Sequence, residues 1–308
     1  MSFYSRTLLF LYTLFLLLAA NVNSVSAHGG GHGGSIWQQW SWLDVPLLLL
    51  LGGVYFLGIR SLWKRAGTGA GISRRRAAAF GAAILLLFFA LVSPLGALSD
   101  QLFSAHMVQH LLLMLAAAPL FVIGRFELAF AWALPSRWTT RIWNKWKGKH
   151  AWEYLMRPMT ACLLHAAAIW IWHMPRLYEA SLRNEWMHFI EHTSFFLTAL
   201  LFWQVFARLT ENIHNGRSAT FGVAIMAVFG IAMVSGLLGV LMAFSPYVWY
   251  PIHIHDTAIF GLTALEDQQL AGTIMWVPAG VVYLGAAVGV MGRWLFGMEA
   301  VEAQRLKG

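Results

Sequence analysis

The sequence predicts an all-α, polytopic transmembrane helical bundle with seven spans after an N-terminal signal peptide or signal anchor. Hydrophobic residues make up 59% of the 308 residues and charged residues only 11%, which is too few to cover a water-soluble globule. Several apolar runs reach the ~20 residues that cross a bilayer as a helix. The period-2 alternation of membrane strands is absent from the sequence. A membrane-embedded helical bundle follows.

Residues 1–27 have the pattern of a secretory signal peptide. Arg6 precedes an apolar run, and Val25 and Ala27 stand at positions minus three and minus one of a candidate cleavage site. An uncleaved signal anchor is the alternative, although the apolar run is short for a span.

Residues 28–42 form a His/Gly-rich outer segment that begins "HGGGHGG". Its composition is typical of a flexible polar tether. If the leader is cleaved after Ala27, the amine and imidazole of His28, together with His32, form an additional copper-capturing arm. A glycine-rich tether with incidental histidines is the alternative.

The seven-span membrane domain covers residues 43–295, and a cytoplasmic tail follows at 296–308. Each predicted span is an apolar run of about the length that crosses a bilayer, except that the fourth is short. The spans are residues 43–59, 77–97, 103–124, 159–174, 186–207, 218–244 and 269–292.

Basic residues sort to one side of these spans. Of the 21 Lys and Arg residues, all but Arg176 and Arg183 lie in the leader or in connections on a single side. The positive-inside rule makes that side cytoplasmic and leaves the mature N-terminus outside a bacterial plasma membrane. The outer side is acidic and attracts cations. Its acids are Asp44, Asp100, Glu179, Glu185, Glu191, Asp256, Glu266 and Asp267.

The excess of positive charge in this chain therefore lies on the cytoplasmic side. There, the basic segment 135–158 interleaves Trp with Lys and Arg, a pattern typical of a helix lying on anionic lipid. The lipid bilayer, and not nucleic acid, is the partner that this composition favours.

Two histidine pairs share an i, i+4 spacing near the outer ends of spans. His106 and His110 lie in "HMVQHLLLM", with Met114 in the same helical column, and His188 and His192 lie in "HFIEH". Facing pairs would bring several imidazoles to one metal ion, and an i, i+4 pair is a known chelating device. Ordinary hydrogen-bonded histidines are the alternative, but intramembrane ionisable residues are costly and often functional.

Thioether sulfur favours copper over zinc, and especially Cu(I). Methionines neighbour the histidines: Met107 follows His106, Met174 follows His173 and Met187 precedes His188. The only cysteine, Cys162, lies in an apolar run, so no Cys-x-x-Cys site exists. The predicted copper ligands are His106, His110, His188, His192, His173, Met107 and Met114.

Additional ligands or supporting groups come from two further outer segments. "IHIHD" contributes His253 and His255, and "LEDQQLAGTIMWVPAG" contributes Asp267 and Met275. We expect Asp267 to hydrogen-bond a ligating imidazole. The alternative is a carboxylate stabilised by a helix N-terminus.

Four segments of this chain resemble the CtaG family of polytopic membrane proteins, which are cytochrome c oxidase assembly factors. They are "SAHMVQHLLLMLAAAPLFVIG", "IWHMP", "FIEHTSFFLTALLFW" and "EDQQLAGTIMWVPAG". The resemblance covers about residues 35–295. It implies a plasma-membrane factor for a haem-copper oxidase and functional positions at His106, His110, His173, His192, Asp267 and Trp276. It does not extend to His188, the "IHIHD" loop or the "HGGGHGG" arm.

The sequence therefore predicts a non-enzymatic assembly factor that binds copper at the outer face and passes it to a cytochrome c oxidase subunit. A haem-binding redox protein with histidine axial ligands is one alternative, which His165 in the fourth span keeps open. A copper transporter is another, but the inner halves of the spans offer almost no ligands. A retinal protein is excluded as usually built, because the seventh span lacks lysine.

Overall fold

A computed structural model describes residues 44–134, 149–214, 219–254 and 257–305. Within these ranges the chain is helical with short turns and contains no β-strand, which confirms the all-α class. The predictions for residues 1–27, 28–42 and 135–148 lie outside the described residues, as do those for His255 and Asp256.

The helices follow one another through short connections. They are α1 (Asp44–Ala66), α2 (Arg74–Val92), α3 (Pro94–Ser99), α4 (Phe103–Ile123), α5 (Phe126–Ala133), α6 (Lys149–Leu155), α7 (Pro158–Trp172), α8 (Pro175–Arg183), α9 (Glu185–His214), α10 (Ala219–Ala243) and α11 (Ala264–Arg305). Short 3₁₀ turns at Pro251–His253 and Thr257–Phe260 lie between α10 and α11.

Six helices of the described ranges are long and apolar enough to cross a membrane: α1, α2, α4, α9, α10 and α11. This confirms a multi-pass membrane protein. The predicted fourth span corresponds to α7, which has 15 residues. At a rise of ~1.5 Å per residue it is about 22 Å long, shorter than a typical hydrocarbon core of ~30 Å. The count of seven spans therefore remains a prediction.

Several helix ends differ from the predicted spans. The second span was predicted to continue to residue 97, but α2 ends at Val92 and a separate helix begins at Pro94. Ser93 is extended, with ψ of 175°, because the residue before proline avoids the helical region. By contrast, α1 and α11 continue beyond their apolar runs, since the charged residues that flank them are good helix formers.

Two compact units make up the chain. The first combines the residues up to Pro94 with Leu120–His150. Its core is aromatic: the rings of Tyr55 and Phe80 stack with centres 3.6 Å apart, and the Tyr55 hydroxyl donates a hydrogen bond to the carbonyl of Gly124. This contact ties α1 to the start of α5.

The second unit combines Leu95–Pro119 with Ala151–Gly308 and contains α7 to α11. Its closest helix contact joins α10 and α11. A Cβ atom added to Gly272 would lie 2.6 Å from the carbonyl oxygen of Gly239 and 2.5 Å from the amide nitrogen of Ala243. Small residues are common where membrane helices meet, because they let backbones touch. The ring of Trp276 packs beside this contact, against Gly236.

Helix α4 contains a π-helical segment at Leu112–Ala117. A π turn places an extra residue in the helix and shifts the faces of the residues that follow. The indole nitrogen of Trp203 on α9 donates to the carbonyl of Met114 at 2.9 Å. The shift in the helical register of α4 therefore occurs where Trp203 of α9 donates a hydrogen bond to the backbone of α4.

Replacing Gly272 with alanine should destabilise the protein by about 1–3 kcal/mol, because the new methyl group forces α10 and α11 apart. Gly280 is the matched control on the same helix, since a Cβ atom there meets nothing within 4 Å. Gly280→Ala should change stability by no more than about 1 kcal/mol. Thermal unfolding of the two variants in detergent measures this difference. Equal midpoints would contradict the backbone contact.

Candidate metal centre

Four helix ends of the second unit meet at one place, and each carries polar side chains. They are the N-terminal ends of α4, α9 and α11 and the C-terminal end of α7. Their polar side chains include five histidines, which we name the histidine cluster: His106, His110, His173, His188 and His192. The structure therefore brings together the histidines of three predicted spans.

The two i, i+4 pairs face each other. Within the pairs, ring centres are 4.2 Å apart for His106 and His110 and 4.1 Å apart for His188 and His192. Between the pairs, the ring centres of His106 and His188 are 5.5 Å apart, and those of His110 and His192 are 5.2 Å apart. Four imidazoles from α4 and α9 thus pack together in one cluster.

His173 enters the cluster from the C-terminal end of α7. Its ring centre lies 6.2 Å from that of His110. Its Nδ1 lies 2.6 Å from the carbonyl oxygen of Ile169, and its Nε2 lies 3.4 Å from Sδ of Met107. One of the predicted methionine ligands is therefore in contact with an imidazole.

Glu191 belongs to the centre although it was not among the predicted ligands. Its side chain is buried, and Oε1 lies 3.7 Å from Nε2 of both His106 and His110. The signal was present in the sequence, because Glu191 is three residues after His188 and shares its helix face. A buried carboxylate among imidazoles supplies the negative charge that favours a cation.

The spacing of the donor atoms suits a metal ion. Two sets of donors each have all their ligand atoms within 4.8 Å of one another: His106, His188 and His192 form one, and His106, His110 and Glu191 form the other. Two ligands bound at ~2.1 Å in a tetrahedral arrangement lie about 3.4 Å apart. Small side-chain shifts therefore bring either set into coordination.

Most of the imidazole nitrogens in this cluster lack a hydrogen-bond partner among the described residues. Both ring nitrogens of His106 and His110 are in this state, as is Nε2 of His188 and His192. His106 is 0% exposed and His110 is 1% exposed. A buried polar atom without a partner costs about 1–3 kcal/mol. Coordination of a metal ion would satisfy several of these atoms at once.

Tyr178 on α8 closes one side of the cluster. Its ring meets the ring of His106 edge-on, with centres 5.1 Å apart. Its hydroxyl lies 2.8 Å from Nε2 of His253. Burial raises the pKa of Tyr178 well above its usual value, so the hydroxyl keeps its proton in this hydrogen bond with His253. His253, a predicted additional ligand, therefore lies behind Tyr178 with its Nε2 engaged by the hydroxyl.

Asp267 does not bind an imidazole, and that expectation is corrected. Its carboxylate accepts hydrogen bonds from the amides of Phe103 and Ser104, at 2.7 and 3.2 Å, and from the Ser104 hydroxyl. These groups form the first turn of α4, where unpaired N–H groups and the helix dipole favour an anion. Asp267 supports the centre by holding the helix that carries His106 and His110.

Met114 and Met275 are buried, but among the described residues no hydrogen-bonding contact joins either side chain to an imidazole. The π-helical segment interrupts the column of residues four apart that a regular helix would continue from His106 and His110 to Met114. Met174 is 56% exposed and Met187 is half-buried. Met107, by contrast, lies 3.4 Å from Nε2 of His173 in the histidine cluster.

Two acids, Asp100 and Glu185, lie close enough to each other for their charges to interact. Burial and the negative charge of Glu185 raise the pKa of Asp100 to about 6. Glu185 begins α9 one turn before His188, which is half-buried.

His165 lies apart from the cluster, eight residues before His173 on α7. It is fully buried, and its Nδ1 lies 3.0 Å from the hydroxyl of Thr198. Its ring stacks on Phe202 with centres 5.9 Å apart. These contacts indicate that His165 packs between α7 and α9.

The sequence model of the cytochrome c oxidase caa3 assembly factor family matches residues 53–296. The chain belongs to this family. No curated protein and no solved structure matches the chain. The match confirms the resemblance found in the sequence, and it makes this assembly factor a membrane partner of cytochrome c oxidase. The matched range contains the complete histidine cluster and Glu191.

Asp267→Asn should destabilise this assembly factor by about 1.5–3 kcal/mol, because the amide replaces charge-assisted bonds to the first turn of α4. The matched control is Glu266→Gln. Glu266 forms a capping box with Thr263 on its own helix, a role that glutamine also fills. Thermal unfolding in detergent compares the two, and an equal effect on both would contradict the cross-helix cap.

Proposed function

We propose that this assembly factor binds copper in its histidine cluster and passes the ion to a cytochrome c oxidase subunit. The observation that carries the proposal is the convergence of five imidazoles and one carboxylate from α4, α9 and the C-terminal end of α7, with several nitrogens unpartnered among the described residues. A metal cation satisfies imidazole lone pairs and a buried carboxylate together.

Copper is favoured over zinc by the Met107 thioether beside His173. Imidazole accepts both metals, but thioether sulfur is a soft ligand that selects copper, particularly Cu(I). Within the described residues, the groups of histidines and acids close enough to hold an ion are those of this centre. A hard cation such as Mg²⁺ is disfavoured because it requires oxygen ligands.

We place the centre at the outer face of the bacterial plasma membrane. The distribution of Lys and Arg supports this orientation, with α7 acting as a short seventh span. The meeting of three helix N-termini with one C-terminus agrees with the alternation of direction that this topology requires. An outer site would lie where a metal-binding subunit of the oxidase exposes its ligands.

Transfer would proceed by ligand exchange, without a catalytic step. An acceptor histidine replaces one donor ligand at a time, so the ion never leaves a coordinated state. His188 is the natural contact point, since it is half-buried while His106 and His110 are enclosed. Only metal–ligand bonds are broken and formed in this exchange, and no change in the oxidation state of the copper is required.

The haem alternative is disfavoured by the packing of the cluster. Two axial histidines must leave room between them for a porphyrin, whereas these imidazoles lie against one another, with Tyr178 packed on His106 and Phe195 on His110. His165 is held by Thr198 and Phe202. A copper transporter is disfavoured because the described residues contain no second ligand group of this kind along the spans.

Purified protein loaded with Cu(I) and passed over a desalting column should retain copper and show no Soret absorption. His110→Ala should lower the copper content and sharply lower copper-dependent oxidase assembly, because the ring of His110 lies beside those of His106, His192 and His173. Elemental analysis and oxidase activity of the membranes are the measurements.

His165→Ala is the matched control, since it removes an equally buried imidazole outside the cluster. It should leave copper content and oxidase assembly near their original levels. A strong Soret band, or copper that survives when both His106/His110 and His188/His192 are replaced, would overturn the proposed function.

A further inference from the structure

Neither His173 nor Met107 has a hydrogen atom to donate in the contact between them. A carbonyl oxygen only accepts hydrogen bonds, so the 2.6 Å contact with Ile169 places the imidazole proton on Nδ1 of His173. Nε2 of the neutral ring then presents a lone pair. The thioether of Met107 also presents lone pairs, 3.4 Å away. Two electron-pair donors therefore face each other in a buried space.

A shared metal ion resolves this contact. With bonds of ~2.0 Å to nitrogen and ~2.3 Å to sulfur, a separation of 3.4 Å corresponds to an N–metal–S angle of about 105°. That angle is typical of three or four ligands rather than a linear pair. The ring of His110, whose nitrogens are both unpartnered, is the neighbouring group that completes the set.

A second set of ligands lies beside this one. His106, His188 and His192 bring their ligand atoms within 4.8 Å of one another without using His173 or Met107. Glu191 lies between the two sets, 3.7 Å from a nitrogen of His106 and 3.7 Å from a nitrogen of His110. Its negative charge reduces the repulsion between two buried cations.

We propose that the centre contains two copper positions rather than one. The imidazole position is formed by His106, His188 and His192, and the thioether position by Met107, His173 and His110. This inference rests on the proposed function, because it divides the same copper site. The imidazole position accepts Cu(I), Cu(II) or Zn²⁺, whereas the thioether position selects Cu(I).

The two positions differ in access as well as in chemistry. The imidazole position includes His188, the half-buried member of the cluster. The thioether position is made of enclosed residues, with Met107 2% and His173 4% exposed. The adjacent pair His106 and His110 links them, so an ion moves between positions by exchange of neighbouring ligands. The thioether position acts as the Cu(I) store behind an exchange position.

Full-length protein in detergent, titrated with Cu(I) under reducing conditions, tests the division. The unmodified chain should bind two copper ions, and copper-edge X-ray absorption should show a sulfur neighbour. Met107→Leu should bind one ion and lose the sulfur signal. The matched control, Met114→Leu, replaces a buried methionine of the same helix and should behave like the unmodified chain.

His188→Gln should give the reciprocal result, with one ion bound and the sulfur signal retained. Zn²⁺ should bind once, and Met107→Leu should not change its affinity, which separates loss of a ligand from loss of folding. A single copper ion with no sulfur neighbour, unaffected by Met107→Leu, would overturn the two-position arrangement and leave the proposed function intact. Absence of copper binding in the unmodified chain would overturn both.

Discussion

The carboxylate of Asp267 holds the first turn of α4, and the geometry of the histidine cluster depends on that contact. It accepts hydrogen bonds from two backbone amides and the Ser104 hydroxyl, all buried. A helix N-terminus inside a low-dielectric region needs such a partner, since water is absent. Because His106 follows within the same turn, this cap sets where both α4 imidazoles stand relative to α9.

The same low dielectric explains why the centre stands out chemically. Elsewhere in the second unit, polar side chains such as Trp203, Ser235 and Thr198 donate to backbone carbonyls. In the cluster, imidazole nitrogens face one another instead. Donor atoms gathered without partners are unfavourable in a membrane protein unless a ligand completes them. The proposed ion-binding role would place the metal chemistry of this centre within the family's part in cytochrome c oxidase assembly.

The proposed delivery of copper requires the protein to hold the ion without trapping it. Imidazole and thioether ligands are neutral, and they bind Cu(I) less tightly than a set of thiolates would. Here a single carboxylate, Glu191, adds charge to an otherwise neutral set. The ring of Tyr178 packs against His106 on one side of the cluster, and Glu185 begins α9 one turn before the half-buried His188.

Composition and period alone determined the membrane class, the approximate spans and the two histidine pairs, because these properties are local: a helix places residues four apart on one face wherever it sits. Tertiary structure decided the rest. It placed the Met107 thioether against His173, whereas a π-helical segment interrupts the helical column that carries Met114, and it placed Glu191 beside His106 and His110. It also placed the Asp267 carboxylate at the N-terminal end of α4 and the His253 imidazole against the Tyr178 hydroxyl. Such choices depend on which helices touch and at what register, and no period within a single helix encodes that.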